Sequence, residues 1–248
     1  MNRLAICGSK RIETDCRVVG TDDIDYSSTC IAMNWELDHV FILVEPEASV
    51  ADLLLAHGLK EGPGNRHPGQ GTANRRFYFA NGMLEFLWVH DVAEAMHGPG
   101  RNLRLADRAQ DPTASPFGMI FLSPDPTNRD MPFPGWTYQP DYFAPPNAFH
   151  VGANSNHLAE PLCFCAPFIK PRAARSNPAD TNAQTMTQVC IHTPARDRSG
   201  ILNSVNQVDR LAIELGNEHL LEITLDGNGL GCSKDFRPDL PLIIHGLS

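Results

Sequence analysis

Two glutamates lie in apolar, strand-like stretches at corresponding places of an internal repeat. Glu85 lies in MLEFLWVH and Glu222 lies in HLLEITLDGN, and a shared Leu-Glu pair aligns the two stretches. A buried carboxylate without a partner is costly, and two equivalent carboxylates that converge need a positive charge between them. A divalent metal ion supplies such a charge. For either glutamate alone, a solvent-facing position or pairing with an arginine is the alternative.

A histidine supplies the nitrogen donor of this predicted metal site. His39 lies in LDHVFILVEP, a strand-like run rich in Val, Ile and Phe that ends at Pro46. We therefore predict that His39, Glu85 and Glu222 bind one ion. Three protein ligands leave a coordination position open for water, which is the arrangement of catalytic metal sites.

A poor ligand occupies the fourth position of the predicted site. Alignment of Pro46 with Pro194 sets Thr187 against His39, and a threonine hydroxyl binds the usual ions weakly. We expect Thr187 to line the pocket without ligating strongly, and a decayed metal site is the alternative. His192 becomes a candidate ligand if the alignment shifts by one residue, because the strand then turns its other face to the site.

A glycine-rich polar loop precedes the strand ANRRFYFAN. Its sequence HPGQGTAN runs from His67 to Asn74, and its glycines allow close backbone approach to a ligand. We predict that His67, Thr72 and Asn74 form part of the pocket wall, with Arg75 or Arg76 available to an acidic group of a substrate. The alternative is a tight connection whose polar side chains satisfy one another.

Two similar runs of strands and helices position these residues. The first is a strand, a helix over EASVADLLLAHG, a loop or short strand, and two strands separated by Asn81-Gly82, a strong hairpin signal. The second contains TMTQVCIHTP, VDRLAIEL and HLLEITLDGN, all strand-like. These runs form a weak internal repeat.

The chain divides into four parts at the level of sequence. Residues 1–34 are predicted to be an N-terminal extension, 35–169 a first module with inserted strands and loops, 170–185 a polar linker, and 186–248 a second, shortened module.

Composition excludes several partner classes. The net charge of −9, without a run of five like charges, disfavours nucleic acid and anionic membrane surfaces. Charges interrupt every N-terminal stretch that might form a signal-peptide core, so we predict a cytoplasmic protein. Seven scattered cysteines form neither a disulfide framework nor a paired C-x-x-C zinc spacing. The absence of nucleophile-elbow, H-E-x-x-H and dinucleotide motifs disfavours hydrolases and dehydrogenases.

The strings LDHVFILVEP, RHPGQGTANRRFYF and MLEFLWV resemble the glyoxalase-like domain of the vicinal-oxygen-chelate superfamily, which also includes bleomycin-resistance proteins and extradiol dioxygenases. The resemblance implies an α+β fold in which two βαβββ modules form one curved mixed sheet, or cup, here with a long insertion between the modules. Each module of that superfamily offers metal ligands from its first and fourth strands. This implies His39 and Glu85 from the first module and Glu222 from the second, around one divalent ion (Zn, Fe, Mn, Ni or Co).

The resemblance implies a metal-dependent lyase, isomerase or dioxygenase that acts on a small oxygen-bearing molecule. The ion would stabilise an oxyanion-like charge, and Glu85 or Glu222 would move the proton. The alternative is a non-catalytic protein that sequesters an apolar molecule in a cup lined by aromatic residues such as Phe86 and Trp88. An interaction protein that uses the proline-rich middle section is a third possibility. We expect a monomer or a homodimer with a small-molecule partner.

Overall fold

The computed structural model describes residues 35–123, 125, 130–169, 181–206, 208–227 and 229–247. The predicted N-terminal extension, residues 1–34, and residues 170–180 of the predicted linker lie outside this part of the chain. Within the described residues, no helix has the length and apolar character needed to cross a membrane.

Eight strands form the first sheet in the order β2-β3-β4-β1-β5-β8-β7-β6. They are β1 (Glu36–Leu43), β2 (Gly62–His67), β3 (Thr72–Phe79), β4 (Gly82–Val89), β5 (Phe117–Leu122), β6 (Gly135–Tyr138), β7 (Phe149–Gly152) and β8 (Leu162–Cys165). β1 is parallel to β4, β5 is parallel to β8, and β1 and β5 pair antiparallel at the centre. Outward from the centre, one half has the order β1-β4-β3-β2 and the other has the order β5-β8-β7-β6. The sheet therefore consists of two topologically equivalent halves.

Short helices connect these strands. A 3-10 turn (Pro46–Ala51) and α1 (Asp52–Ala56) follow β1, and Gly58 then takes the left-handed conformation (φ 83°) that commonly ends a helix. The helix α2 (Val92–His97), a 3-10 turn (Arg101–Leu103) and α3 (Leu105–Gln110) lead from β4 to β5, and a 3-10 turn (Ala153–Asn156) leads from β7 to β8.

Five further strands form a second sheet in the order β10-β9-β11-β13-β12. They are β9 (Met186–Thr193), β10 (Leu211–Leu215), β11 (Leu220–Leu225), β12 (Gly229–Asp235) and β13 (Leu242–Gly246). The helix α4 (Gly200–Val205) crosses from β9 to its parallel neighbour β10. β11 pairs antiparallel with β9 and parallel with β13.

The predicted fold class, α+β with a curved mixed sheet, is confirmed. The predicted alignment of Glu85 with Glu222 is wrong, because β4 runs parallel to β1 whereas β11 runs antiparallel to β9. Strands β5 to β8, which the sequence pattern predicted to be part of an insertion, instead form the second half of this sheet. The shared Leu-Glu pair is a local pattern, and a local pattern carries no information on strand direction.

A continuous apolar core joins the two sheets. Alternate residues of a strand face opposite sides of its sheet, and one side of the first sheet shares a buried cluster with the second sheet. That cluster includes Val40, Ile42, Phe86, Met119 and Phe121 from the first sheet and Val189, Ile191, Ile223 and Ile244 from the second. The hairpin turn adds a polar link, because the Asn81 side chain bonds the backbone of Met186 through both its oxygen and its nitrogen (2.8 and 2.9 Å).

The opposite side of the first sheet, the cup face, carries a separate buried cluster that includes Phe41, Leu87, Ile120 and Phe164. This cluster and the core between the sheets use alternate residues of the same strands. The cup face therefore points away from the second sheet.

Candidate functional site

A cavity of about 470 Å³ opens on the cup face. Strands of both halves of the first sheet line it, with His39 and Phe41 from β1, Glu85 from β4, Ile120 from β5 and Phe164 from β8. Its volume lies within the range of small-molecule pockets, which run from about 300 to 1,000 Å³.

A histidine and a glutamate form the polar centre of the cavity. His39 lies opposite Met83 in the parallel pairing of β1 and β4, so Glu85, two residues further along, faces the same side. His39 Nε2 lies 3.4 Å from Glu85 Oε2, and both side chains are nearly buried (12% and 8% exposed). The two parallel strands therefore hold an acid and a base side by side.

A β-bulge places a second carboxylate behind His39. The register between β1 and β5 shifts between Leu37 and His39, so Asp38 is the extra residue. Asp38 lines the cavity together with His39, and its Oδ2 accepts a hydrogen bond from His39 Nδ1 (2.7 Å). Bulges commonly redirect a side chain next to an active site. Both ring nitrogens of His39 thus face carboxylates.

Electrostatics favours the charged form of the His39–Glu85 pair. Burial lowers the pKa of His39, but hydrogen bonds to Asp38 and Glu85 outweigh burial and raise the pKa above its usual 6.5. Burial raises the pKa of Glu85, but the hydrogen bond and positive charge of His39 outweigh it and lower the pKa to about 2. Both shifts therefore favour the charged form of each partner, an imidazolium beside a carboxylate.

The polar loop fixes the orientation of Glu85. Asn74 Nδ2 donates to Glu85 Oε1 (2.5 Å), and Asn74 Oδ1 accepts from the Asn65 backbone N–H (2.6 Å). The amide is therefore fixed at both ends. Asn74 bonds Oε1 of Glu85, whereas Oε2 faces His39.

A neutral histidine lies next to this arrangement. Burial lowers the pKa of His67, and its Nδ1 lies 2.9 Å from the hydroxyl oxygen of Thr72. That oxygen also accepts a hydrogen bond from Gln70 Nε2 (2.8 Å), while the Tyr142 hydroxyl donates to Gln70 Oε1 (3.2 Å). The Tyr142 ring lies 5.2 Å from the His67 ring, which it covers at a tilt.

Aromatic rings from the second half of the sheet form the apolar end of the cavity. The Phe143 ring lies 4.9 Å from that of Phe168, and the Phe149 ring lies 5.6 Å from Phe168 and 5.8 Å from Phe164. All four line the cavity. The cavity therefore has a charged, hydrogen-bonded end supplied by the first half and an aromatic end supplied largely by the second.

Only some of the residues predicted to form the pocket wall line the cavity. His67 and Asn74 line the cavity, and Thr72 lies behind His67. Arg75 does not line it, because its guanidinium pairs with Glu61 (2.6 Å) and Asp52 (2.8 Å). The alternative, Arg76, lines the cavity.

Glu222 lies far from the cup, so the predicted three-residue metal site is wrong. Glu222 contacts His192 (2.8 Å) and His245 (2.7 Å) on the second sheet. Its strand neighbours Leu221 and Ile223 are in the core between the sheets, so Glu222 faces away from that core. Both sheets therefore separate Glu222 from His39.

Two further expectations fail for the same geometric reason. Thr187 lies on β9 of the second sheet, is exposed, and donates its hydroxyl to the Thr224 carbonyl (3.1 Å). Phe86 is in the core between the sheets, and Trp88 packs against that core, so neither lines the cup. Side chains alternate along β4, so Glu85 and Leu87 face the cup while Phe86 and Trp88 face the core between the sheets.

The donors in the cup do not fit a resident metal ion. His39 pairs with Met83 on β4, and Ile120 pairs with Phe164 on β8 in the equivalent half. The counterparts of His39 and Glu85 are therefore Ile120 and Ala166, which cannot ligate. Catalytic zinc typically has three protein ligands. Among the described residues, the cup has no set of three His, Cys, Asp or Glu donor atoms within 4.8 Å of one another.

Several residues of the cavity were not predicted. Asp38 adjoins His39 in the sequence LDHVF, and a carboxylate next to a candidate histidine was a usable signal. Tyr142 and Phe143 lie in the proline-broken stretch QPDYFAPP, where no periodicity indicates which way a side chain faces.

The paired halves of the first sheet have the cup architecture of the vicinal-oxygen-chelate superfamily. Residues 37–133 match the family model described as "Glyoxalase-like domain". The resemblance seen in the sequence is therefore confirmed over residues 37–133.

One solved structure extends the likeness over most of the chain. It is titled "Crystal Structure of a hypothetical protein from Staphylococcus aureus", and the match has 13% sequence identity and a TM-score of 0.56. It covers 85% of this chain and 98% of that chain, so the shared fold extends beyond the first sheet. A comparison with curated proteins gives no significant match.

Proposed function

We propose that the cup binds a small molecule with an apolar, ring-sized body and an oxygen-bearing end, and that the His39–Glu85 pair moves a proton on it. The reaction class is a lyase or isomerase reaction by general acid–base catalysis. One observation carries the proposal: the nearly buried His39–Glu85 pair and an aromatic wall line one cavity of about 470 Å³.

The spacing of the pair supports this role. Charge-assisted N–H···O bonds are usually about 2.7–2.9 Å long, whereas His39 Nε2 and Glu85 Oε2 are 3.4 Å apart. A ligand oxygen that approaches this gap accepts the Nε2 hydrogen, and the imidazolium stabilises negative charge that develops on it.

The same step activates the carboxylate. The hydrogen bond and charge of His39 lower the pKa of Glu85, so Glu85 is a weak base while the two are paired. When the Nε2–H donates to the ligand oxygen instead, the hydrogen bond from His39 to Glu85 is lost and Glu85 becomes more basic. Asn74 holds Oε1 in place, which leaves Oε2 to accept a proton from a carbon next to the ligand oxygen.

Sequestration without reaction is the second candidate function. The aromatic end supports it, because the rings of Phe143, Phe149 and Phe168 form a mutually packed wall suited to an apolar ring. In that case His39 and Glu85 only orient a polar end of the ligand. A dioxygenase reaction is not part of the proposal, since it needs a redox metal that the donors in the cup do not fit.

The test uses the full-length chain and small ketones, aldehydes and phenols as probes. A probe at 100 times its Kd should stabilise the chain by about 2.7 kcal/mol, which a thermal shift detects. Bound carbonyl probes are then followed by NMR in D₂O for exchange of the hydrogen next to the carbonyl. We expect Glu85→Gln and His39→Asn to slow this exchange by at least about 100-fold.

Exposed residues provide matched controls. Glu45→Gln and His97→Asn remove the same groups from the surface and should leave exchange unchanged. Binding without exchange in the wild type supports the sequestering function. A wild-type chain that no probe stabilises, or exchange that is unchanged in Glu85→Gln, overturns the catalytic proposal.

The proposal also includes the cellular location and the oligomeric state of the protein. A cytoplasmic location and a monomeric or homodimeric state remain predictions from the sequence, with a small molecule as the partner. Gel filtration with light scattering tests the oligomeric state.

A further inference from the structure

A second group of potential ligands lies on the outer face of the second sheet, the face turned away from the core. Cys190 and His192 lie on β9, Glu214 on β10, Glu222 on β11 and His245 on β13. These four strands are adjacent in the sheet. Their buried neighbours Val189, Ile191, Ile213, Ile223 and Ile244 belong to the core between the sheets, so the alternate positions face outward together.

Three of these side chains already converge as ligands would. One donor atom each from Cys190, His192 and Glu214 lies within 4.8 Å of the other two. Cys190 Sγ is 3.5 Å from His192 Nε2. Tetrahedral zinc with Zn–S of about 2.3 Å and Zn–N of about 2.0–2.1 Å places the two ligand atoms about 3.5 Å apart. This sulfur–nitrogen separation therefore needs no adjustment to accept an ion.

A further carboxylate adjoins the same imidazole. Glu222 Oε1 lies 2.8 Å from His192 Nε2, and Glu222 Oε2 lies 2.7 Å from His245 Nε2. His245 is held in turn by Ser233, whose hydroxyl lies 2.8 Å from His245 Nδ1. His245 and Ser233 thus lie behind Glu222, as the outer hydrogen-bonding partners of a ligating carboxylate do.

Charge and access also suit a cation. Two carboxylates, Glu214 and Glu222, lie beside the His192 imidazole together with the Cys190 thiol. Glu214 is exposed and Cys190 and His192 are half-buried, so an ion can reach the site from solvent and retain a water ligand. Thiol, imidazole and carboxylate donors together favour a borderline ion of the zinc class over Mg²⁺ or Ca²⁺, which prefer oxygen alone.

We propose that the outer face of the second sheet binds one zinc-class divalent ion through Cys190 Sγ, His192 Nε2 and the Glu214 carboxylate, with Glu222 as the fourth donor. His245 acts as a positioning residue for Glu222. Binding displaces the thiol proton of Cys190 and any proton on His192 Nε2 to solvent. The bound ion joins β10, β9 and β11. This site is independent of the proposed function of the cup.

Cobalt is the probe, because Co²⁺ bound to a thiolate has charge-transfer absorption. Full-length chain freed of metal by a chelator is titrated with Co²⁺ and then with Zn²⁺. We expect one Co²⁺ per chain with this absorption, and we expect Zn²⁺ to displace it. Cys190→Ser should abolish the absorption, and Cys232→Ser, which removes an exposed thiol on β12, should retain it.

Further variants test the other ligands. Loss of an outer partner alone weakens metal binding about 10- to 100-fold, so His192→Asn and Glu214→Gln should weaken Co²⁺ binding at least about 100-fold. His245→Asn should weaken it about 10-fold and keep the absorption. Glu214 is exposed on the edge strand β10, so its variant should fold even if a more buried one does not.

The outcomes separate this site from the cup. His39→Asn should leave Co²⁺ binding unchanged, and Cys190→Ser should leave ligand binding in the cup unchanged. The proposal is overturned if the wild type shows no charge-transfer absorption, if the absorption persists in Cys190→Ser, or if Glu214→Gln and His192→Asn bind Co²⁺ as the wild type does.

Discussion

Each of the two sheets carries a histidine–glutamate pair, and the surroundings of the two pairs differ. His39 and Glu85 are 3.4 Å apart and nearly buried at the base of the cup cavity, whereas His192 and Glu222 are 2.8 Å apart and more exposed (21% and 29%). Around Glu85 the next donor is the amide of Asn74, and around His192 it is the thiol of Cys190. An amide and aromatic rings favour proton transfer on a ligand, whereas a thiol and further carboxylates favour a metal ion.

Crossed substitutions of the two glutamates should give the largest effect. Glu85→Gln removes the base of the cup, so proton exchange on a bound probe should fall by at least about 100-fold. Glu222→Gln should leave that exchange unchanged and weaken Co²⁺ binding. NMR exchange and cobalt absorption measure the two effects. Equal effects of both variants on either readout would contradict the separation of the two sites.

Adding two metal-binding side chains to the cup should enable the cup to bind a metal ion as well. Ile120→His with Ala166→Glu supplies the counterparts of His39 and Glu85 in the second half of the sheet. We expect this double variant to bind one Co²⁺ more per chain than the wild type, without thiolate absorption. Titration followed by elemental analysis checks the stoichiometry. Ile120→Leu with Ala166→Ser is the control and should gain no ion.

The pH dependence of stability should distinguish the two members of the cup pair. The pKa of Glu85 is lowered from 4.5 to about 2, so its contribution is present above pH 4.5 and is lost as pH falls towards 2. The pKa of His39 is raised above 6.5, so its contribution is complete below pH 6.5 and is lost as pH rises through the pKa of the folded state.

Urea unfolding from pH 2 to 9 measures these contributions. The free energy of unfolding should decline less on the alkaline side in His39→Asn and less on the acid side in Glu85→Gln. The pKa of Glu222 is also lowered, because hydrogen bonds from His245 and His192 outweigh burial. Since Glu222 is more exposed, Glu222→Gln should flatten the acid side less than Glu85→Gln does.

A glycine under the cavity wall should give the smallest effect. A Cβ at Gly118 would lie 2.1 Å from the Phe41 ring, so Gly118→Ala pushes that ring into the cavity. We expect a loss of about 1 kcal/mol in stability or probe affinity, as for mild overpacking, and no change in Co²⁺ binding. Gly200→Ala is the control, because a Cβ there meets nothing within 4 Å.

The sequence predicted the parts of the molecule that depend on local pattern. β1 with its terminal proline, the β3–β4 hairpin at Asn81-Gly82 and the placement of His39, His67 and Asn74 all follow from alternation and turn chemistry. Glu85 was also placed correctly relative to His39, because both lie in the best-matched part of the family resemblance.

The partners of these elements were not predictable in the same way. β6, β7 and β8 are only four residues each and lie in a proline-rich region, so they gave weak strand signals although they complete the cup. The role of Glu222 depended on whether β11 pairs parallel or antiparallel, and pairing direction is a tertiary property. His192 was predicted as a candidate ligand of the metal site in the cup, but it lies on β9 of the second sheet.

The shared core behind the cup limits how the family domain can be isolated. The match to the glyoxalase-like domain ends at residue 133, between β5 and β6, so a chain truncated there would lose β8, the hydrogen-bonding neighbour of β5. It would also uncover the apolar residues that now pack on the second sheet, including Ile42, Phe86 and Met119. An open strand edge beside exposed apolar surface promotes aggregation. For recombinant expression the smallest practical unit therefore extends from the first strand through β13, and heating should melt both sheets in one cooperative transition.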